Sequence, residues 1–408
     1  MTTTFPATGR GDTRSWDLTE PATHMRPELA KFWRDRRQRT PIFRHEDSST
    51  HPGFWVVCAH DPAVRIYRDS KRFTSQRGNV LLTLLAGRDN AAGKMLAVTD
   101  PPRHDRMRRL MTPALTREAV FSLATRIRER TARLLSEWAN SGEFDFATEI
   151  ASRIPIWTIC DLLGIPDSEH DLLVSLTKQA LSSDDAEQSA VSAVAARQEI
   201  LLCLLDQVQA QRRRPADGLI TRLIGSEFEE APLTDDQIVT NCYSIVLGGD
   251  ETSRLTMINA VHAFAEDPAL WRRFGEVDDL GTAVEEIIRC FAPTMHFGRI
   301  ATTDLDIDGV HITAGDIVTM WNISANRDEK RFEDPDTVCF DRKPNPHLAF
   351  GYGPHFCIGA PLARLEIAIV LDELRRMTPA IVATGTPQPL YSNFLHGYAT
   401  LPVAFGQP

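Results

Sequence analysis

Phe350-Gly351-Tyr352-Gly353-Pro354-His355-Phe356-Cys357-Ile358-Gly359 is the most informative stretch of this 408-residue chain. Its glycines let the backbone turn tightly and come close to a flat ligand. Cys357 stands just ahead of an apolar helical run, ARLEIAIVLDELRRM. Free N–H groups and the helix dipole there lower a thiol pKa and favour thiolate. Phe350 and Phe356 give apolar cover, and His355 is a donor for a carboxylate beside the sulfur. A lone cysteine in a glycine turn is usually a buried small side chain. The alternative, with Phe350, Gly353, His355 and Gly359 around it, is a thiolate beside a flat ligand.

The rest of the composition is that of an ordinary globular protein, 42% hydrophobic and 25% charged. A net charge of −10 argues against a general nucleic-acid or anionic-membrane binder. No apolar run is long enough for a transmembrane helix, and the opening MTTTFPATGRGDT resembles neither a signal peptide nor an anchor, so a cytoplasmic protein is expected. The seven cysteines are widely spaced with no CxxC pair. That spacing suggests neither a disulfide framework nor a thiolate zinc or iron–sulfur site.

Residues 1–20, polar and rich in Thr, Gly and Pro, read as a flexible arm ahead of a single domain at 21–408. FWVVCAH predicts a short strand, and DPAVRIYRDSKRF a short helix entered at Asp61-Pro62. The glycine- and leucine-rich stretch 75–99 reads as an irregular loop folded over something apolar. From about 102 to 290 the 3.6-residue period dominates. After Pro293 the pattern alternates, with a hairpin turn at Asp308-Gly309, and short strands return at 385–403. The fold class is mainly α with a small β portion (α+β).

Two further motifs lie in helices. Glu286 and Arg289 are three apart and therefore neighbours on one face. Such a pair is commonly a surface salt bridge, but the apolar flanks in AVEEIIRCFAP predict a partly buried, structural one. In Leu247-Gly248-Gly249-Asp250-Glu251-Thr252-Ser253, two glycines interrupt a long helix at a cost of about 1 kcal/mol each relative to alanine. The bland account is a kink or close packing; the functional one is room for a bound group and carbonyls freed for water. Upstream, DPPRHDRMRR places His104 and Arg108 on one face, either as a solvated basic helix start or as donors to a buried carboxylate.

FxxGxHxCxG resembles the haem-binding loop of cytochromes P450. The order of all the motifs is similar to the soluble bacterial class I, actinobacterial-like haem-thiolate monooxygenases from about residue 20 onward. The resemblance implies the cytochrome P450 fold, with haem b between the long central helix and the cysteine loop. It makes Cys357 the haem-iron ligand and Phe350, Gly351 and Gly359 part of the loop that holds the cofactor. His104, Arg108, Arg299 and His355 match the propionate contacts. Glu286 and Arg289 match the ExxR motif, with Arg342 as the third member of a fold-maintaining triad. Gly248 and Gly249 would face the iron, and Glu251 and Thr252 match the acid/alcohol pair that manages protons beside bound O2. A thiolate ligand favours O–O cleavage on haem.

The same resemblance implies a substrate pocket lined by Leu81, Leu84, Asn241, Ile245, Val246, Met295, His296, Phe297, Phe394 and Leu395. An apolar wall with a few polar groups suits a small hydrophobic or amino-acid-derived secondary metabolite, without choosing one. No flavin or nicotinamide motif follows residue 403, so electrons from NAD(P)H are expected through a separate ferredoxin reductase and ferredoxin. Arg109 and Arg364 would receive the acidic ferredoxin. The expected protein is a monomer that binds no nucleic acid and no membrane. Hydroxylation is the expected reaction. The alternatives are C–N or C–C coupling, nitration, action on an amino acid tethered to a carrier protein, or a non-catalytic haem sensor.

Overall fold

The computed structural model describes residues 16–49, 51–139, 142–181 and 188–406. Most of the expected arm, residues 1–15, lies outside the described residues. Its last part is not loose: Trp16 stacks on Phe32 with ring centroids 4.6 Å apart, and Leu18 is fully buried. Trp16 and Leu18 belong to the packed body because these two apolar side chains find partners on the helix Leu29–Arg39 and in the core beneath it.

Six helices position the site: α1 (Arg103–Met111), α2 (Ile154–Leu163), α3 (His170–Leu181), α4 (Asp235–Glu266), α5 (Leu280–Phe291) and α6 (Ala360–Met377). The longest, α4, starts at a capping box in which Thr234 accepts the Gln237 N–H and Gln237 reaches back. Its 32 residues span about 48 Å at 1.5 Å per residue. Ile238, Cys242, Val246, Leu255, Ile258 and Phe264 are all buried, so α4 is enclosed on several sides by α2, α5, α6 and the helix Gln188–Arg213. Asp279 caps α5 by accepting the Thr282 N–H, and Pro361 occupies the first turn of α6, where its missing N–H costs nothing.

The β portion centres on one sheet. Its strands are β1 (Ile42–His45), β2 (Phe54–Val57), β3 (Phe73–Thr74), β4 (Phe297–Ala301) and β5 (Ile317–Met320), in spatial order β1-β2-β5-β4-β3. Only β2 and β5 run parallel; β4 lies antiparallel to β5 with Arg299 opposite Val318. The hairpin at Asp308-Gly309 joins Leu305–Ile307 to Val310–Ile312. Both turn residues have positive φ, 51° and 80°, as a two-residue hairpin turn requires.

The stretch 75–99 is more regular than its composition suggests. Leu81–Leu85 forms a short helix and Leu96–Val98 a single tight turn. Leu81 and Leu84 share a face and are buried, and that packing selects the helix. Among the described residues no helix is long and apolar enough to cross a membrane.

Candidate active site

The cysteine loop is pressed against the helix His60–Arg68. At Gly353, φ is +72°, and a Cβ would collide with the Tyr67 carbonyl, so only glycine fits. The Cys357 N–H donates to the Phe350 carbonyl at 2.9 Å, which closes the loop on itself. Many protein atoms stand around the Cys357 sulfur, yet the residue keeps accessible surface. Burial raises the thiol pKa; the Gly359 N–H, Arg108, Arg364 and the Ala360 N–H act in the opposite direction and do not outweigh it. The lowered pKa expected from the helix start is therefore not a property of the protein alone. Cys357 would be held as thiolate by a bound metal ion, because a coordinating thiol is deprotonated outright.

The basic residues predicted along the chain meet beside this loop. The His104 and His355 rings stand 4.4 Å apart. Burial, then the charges of Arg299, His104 and Arg108, push the His355 pKa down to about 2, so its imidazole is neutral. Arg299 is 5% exposed, and its Nη1 donates to the Gly298 carbonyl at 2.7 Å. Neither Arg108 nor Arg299 pairs with a carboxylate among the described residues, and burial pulls both guanidinium pKa values down. The buried His104 Nε2 has no partner, while its Nδ1 lies 2.9 Å from Asp105. A buried cation without an anion is costly. This set fits a group that brings two carboxylates, as the haem propionates would.

On α4 the two glycines separate in role. A Cβ on Gly248 would meet nothing within 4 Å, whereas one on Gly249 would stand 2.9 Å from Ile159 Cδ1 on α2. Gly249 thus serves close helix packing, which corrects the expectation that both glycines face the iron. The difference follows from the 100° that separates adjacent positions on a helix. The Thr252 hydroxyl donates to the Gly248 carbonyl at 2.6 Å, on the open side. Glu251 is buried and ion-paired with Arg254. Two further acids lie behind it. Burial, then the Glu251 charge, raises Asp250 to about 7, and burial raises Glu366 of α6 to about 8 despite hydrogen bonds from Thr158 and Ser253.

Glu286 sits at the centre of a closed polar knot. It takes Arg289 Nε at 2.8 Å and Nη2 at 2.7 Å, Arg342 Nε at 3.0 Å, Asn345 Nδ2 at 3.0 Å and the Cys339 N–H at 2.9 Å. Arg289 also donates to the carbonyls of Asn326 and Pro335, tying α5 to the 326–345 segment. Arg364 is not the free docking cation expected. It grips Glu285 through Nε and Nη2 and lies 4.6 Å over the Phe350 ring. Arg109 remains exposed, on a groove of about 530 Å³ shared with Arg108, Thr112 and Thr116.

The expected pocket residues divide. Ile245, Phe297, Phe394 and Leu395 keep accessible surface, and Met295 N–H donates to the Phe394 carbonyl, which joins the two segments. Leu81, Leu84, Val246 and Met295 are packed into the core. Asn241 does not offer its amide to a substrate. Its Oδ1 accepts the Leu96 N–H at 2.9 Å, and its Nδ2 donates to the carbonyls of Lys94 and Gln237, both at 2.8 Å. His296 is likewise withdrawn, fully buried between Trp321 and Phe394. Sequence reasoning missed Tyr67, whose ring lies 5.9 Å from the Arg299 guanidinium, and Ser75, which reaches His355. Neither carries a signal that a single sequence exposes. Glu285 was missed for another reason: it stands next to the motif glutamate and looks like it.

An exposed cysteine sulfur in a glycine-bounded loop, beside two arginines that no carboxylate among the described residues answers, defines the site of a haem-thiolate protein. Comparison with known proteins agrees. The Cytochrome P450 family model matches residues 280–378. The chain is 36% identical to Cytochrome P450 NovI of Streptomyces niveus over 98% of both chains. It is 34% identical to a methyl-branched lipid omega-hydroxylase of Mycobacterium tuberculosis, over 86% of this chain and 84% of that one. The crystal structure of P450 OxyD, involved in the biosynthesis of vancomycin-type antibiotics, superposes with a TM-score of 0.88 at 32% identity, covering 96% of this chain and all of the other. The chain belongs to the cytochrome P450 family. It is a monooxygenase of that family, which uses haem and O2.

Proposed function

We propose that the chain takes electrons from NAD(P)H through a separate ferredoxin reductase and ferredoxin, and hydroxylates a small hydrophobic or amino-acid-derived secondary metabolite. The observation that carries the reading is the cluster of Cys357, His104, Arg108, Arg299 and His355: a soft donor, two arginines without a carboxylate partner among the described residues, and a buried His104 Nε2 without any partner. When bound there, haem supplies oxygen activation and attack on the substrate C–H bond. Arg108, Arg299 and the free Nε2 of His104 hold its carboxylates, and neutral His355 adds a donor. Cys357 provides the thiolate. Thr252 turns its hydroxyl between the Gly248 carbonyl and water, so that protons arrive in a controlled place. Glu251 carries the exchangeable charge one residue away. Ile245, Phe297, Phe394 and Leu395 keep water off the substrate. Exposed Arg109 on its groove suits an acidic ferredoxin.

Among the relatives, a hydroxylase and a protein of antibiotic biosynthesis support this choice of reaction and substrate class. The test is a spectroscopic screen for low-spin to high-spin conversion, followed by product mass in the presence of NAD(P)H, reductase and ferredoxin. The panel holds hydrophobic metabolites, free amino acids, and the same amino acids loaded on a carrier protein. A product heavier by one oxygen supports hydroxylation. A product of coupling or nitration, or conversion only on the carrier, selects one of the alternatives. Haem loading without NAD(P)H-dependent turnover on any member would set aside this substrate class.

A further inference from the structure

Glu285 and Glu286 are consecutive on α5, yet they face different parts of the protein. Glu286 is spent on Arg289, Arg342 and Asn345, as described. Glu285 accepts from Arg364 Nε at 2.5 Å and Nη2 at 2.9 Å, and from His347 Nε2 at 3.1 Å. The acceptor role of the glutamate is strong. Its pKa is lowered to about 2: burial opposes the shift, but the hydrogen bonds from His347 and Arg364 and their charges overcome it. The His347 ring is fixed at both nitrogens, since Nδ1 accepts the Ala349 N–H at 3.3 Å and leaves Nε2 as the donor.

These contacts bracket the thiolate loop. His347 stands at its start, ten residues before Cys357, and Arg364 in the first turns of α6, seven residues after it. One carboxylate therefore closes both ends. The Arg364 guanidinium, aligned by Glu285, lies 4.6 Å over the Phe350 ring, and the His347 ring is 5.8 Å from the same ring. The Phe350 carbonyl in turn accepts the Cys357 N–H. The path from Glu285 to the sulfur's own backbone is continuous, with a bidentate pair, a cation over a ring and a hydrogen bond. Bidentate Arg–carboxylate geometry fixes direction as well as distance.

We propose that Glu285 is a positioning residue for the thiolate: by holding Arg364 and His347 it clamps the 347–364 segment and sets the register of Phe350 and Cys357. Arg364 then works inward, on the loop, and is not a primary ferredoxin contact. The proposal rests on Cys357 being the iron ligand, and the experiment keeps the two apart.

The test uses the purified holoenzymes of wild type, Glu285→Gln, Glu285→Ala, Arg364→Lys and Cys357→Ala. Each is reduced under carbon monoxide. The readout is the rate at which the thiolate-type absorption band converts to the shorter-wavelength band of a protein that has lost thiolate ligation, at a temperature where circular dichroism shows the fold intact. Loss of a charge-assisted hydrogen bond predicts roughly tenfold faster conversion in Glu285→Gln and Arg364→Lys, and more in Glu285→Ala. The reduction potential should move in the same variants, and ferredoxin affinity in Arg364→Lys should stay that of wild type. Haem loss from a chain with intact circular dichroism also supports the clamp. Wild-type conversion rates and potential in all three clamp variants would overturn it. So would loss of the fold itself in Glu285→Gln, the mildest change. Absence of the thiolate-type band in wild type, or its survival in Cys357→Ala, would instead overturn the ligand assignment.

Discussion

Glu251 holds its carboxylate 2.6 Å from the Arg254 guanidinium, three residues on along α4, with both side chains nearly buried. Thr252, between them, points its hydroxyl the other way, to the Gly248 carbonyl. The acid and the alcohol thus have separable roles, one guarded by an arginine and one facing the open side of the helix. Glu251→Gln removes the exchangeable charge and should slow turnover about 10²-fold with coupling retained. Thr252→Ala should keep the rate of NAD(P)H consumption while product per reductant falls and hydrogen peroxide rises. Substrate-induced spin conversion and first reduction should survive in both. Stopped-flow reduction together with product and peroxide assays checks the contrast, and equal coupling in wild type and Thr252→Ala would remove the hydroxyl from the proton path.

Arg289→Ala tests the other polar centre. The Glu286 carboxylate and the Arg289 guanidinium are fully buried, and removal of Arg289 takes two charge-assisted hydrogen bonds from the enclosed carboxylate, leaves Arg342 as its one remaining cation, and strands the carbonyls of Asn326 and Pro335. A cost of about 3–5 kcal/mol is expected. Poor recovery and low haem content should therefore precede any specific catalytic defect. Denaturant midpoints and haem-to-protein ratios measure this. A stable, fully loaded Arg289→Ala enzyme that is only slow would reassign the residue from fold maintenance to catalysis.

His296 makes a prediction in pH. Burial, then the His24 charge, push its pKa from 6.5 down to about 3, with only the Asn393 carbonyl as partner. The folded state therefore binds fewer protons than the unfolded chain below pH 6.5. The stability due to neutral His296 is complete above that value and is lost as pH falls towards 3. At pH 5 the loss is about 2 kcal/mol. His296→Gln should flatten the decline of the urea midpoint between pH 7 and pH 5 relative to wild type. Parallel curves would show that the ring does not stay neutral on folding.

What could be read from the sequence was what depends on short spacing. The turn around Cys357, the Glu286/Arg289 pair and the His104/Arg108 face lie within a few residues, and local geometry alone puts each set together. Arg299 and Arg342 needed the resemblance, because only the tertiary fold carries them to His355 and Glu286. The misreadings share one cause. Which way Gly249, Asn241 and Arg364 face depends on a neighbouring helix, loop or ring far away in sequence. The Cys357 pKa failed similarly, because burial is a property of the packed protein and outweighs the helix start. Glu285 shows the limit best, since two adjacent glutamates in one motif look alike until the elements on either side are in place.

Asn241 gives the sharpest contrast between the two levels of reading. If its amide met substrate, Asn241→Leu would change the spin response to polar substrates and leave the surrounding chain untouched. In the structure the amide instead holds the Leu96 N–H and the Lys94 carbonyl, on the segment that covers α4 from the side. Leucine keeps the same branched heavy-atom skeleton but strands both backbone groups. An unsatisfied buried N–H or carbonyl costs about 1–3 kcal/mol. Local opening of 93–98 should therefore become easier, and hydrogen exchange at Leu96 faster by one to two orders of magnitude, roughly as that cost implies. Exchange in α5 around Glu286 should not change, because no contact links the two regions through Asn241. Asn241→Asp, which keeps the acceptor for Leu96 and loses the donor to Lys94, should fall between wild type and Asn241→Leu. Unchanged exchange at 93–98 in Asn241→Leu would return the amide to the substrate side; faster exchange there, with the same substrate selectivity for apolar ligands, would fix its role as the tie between the loop and the central helix.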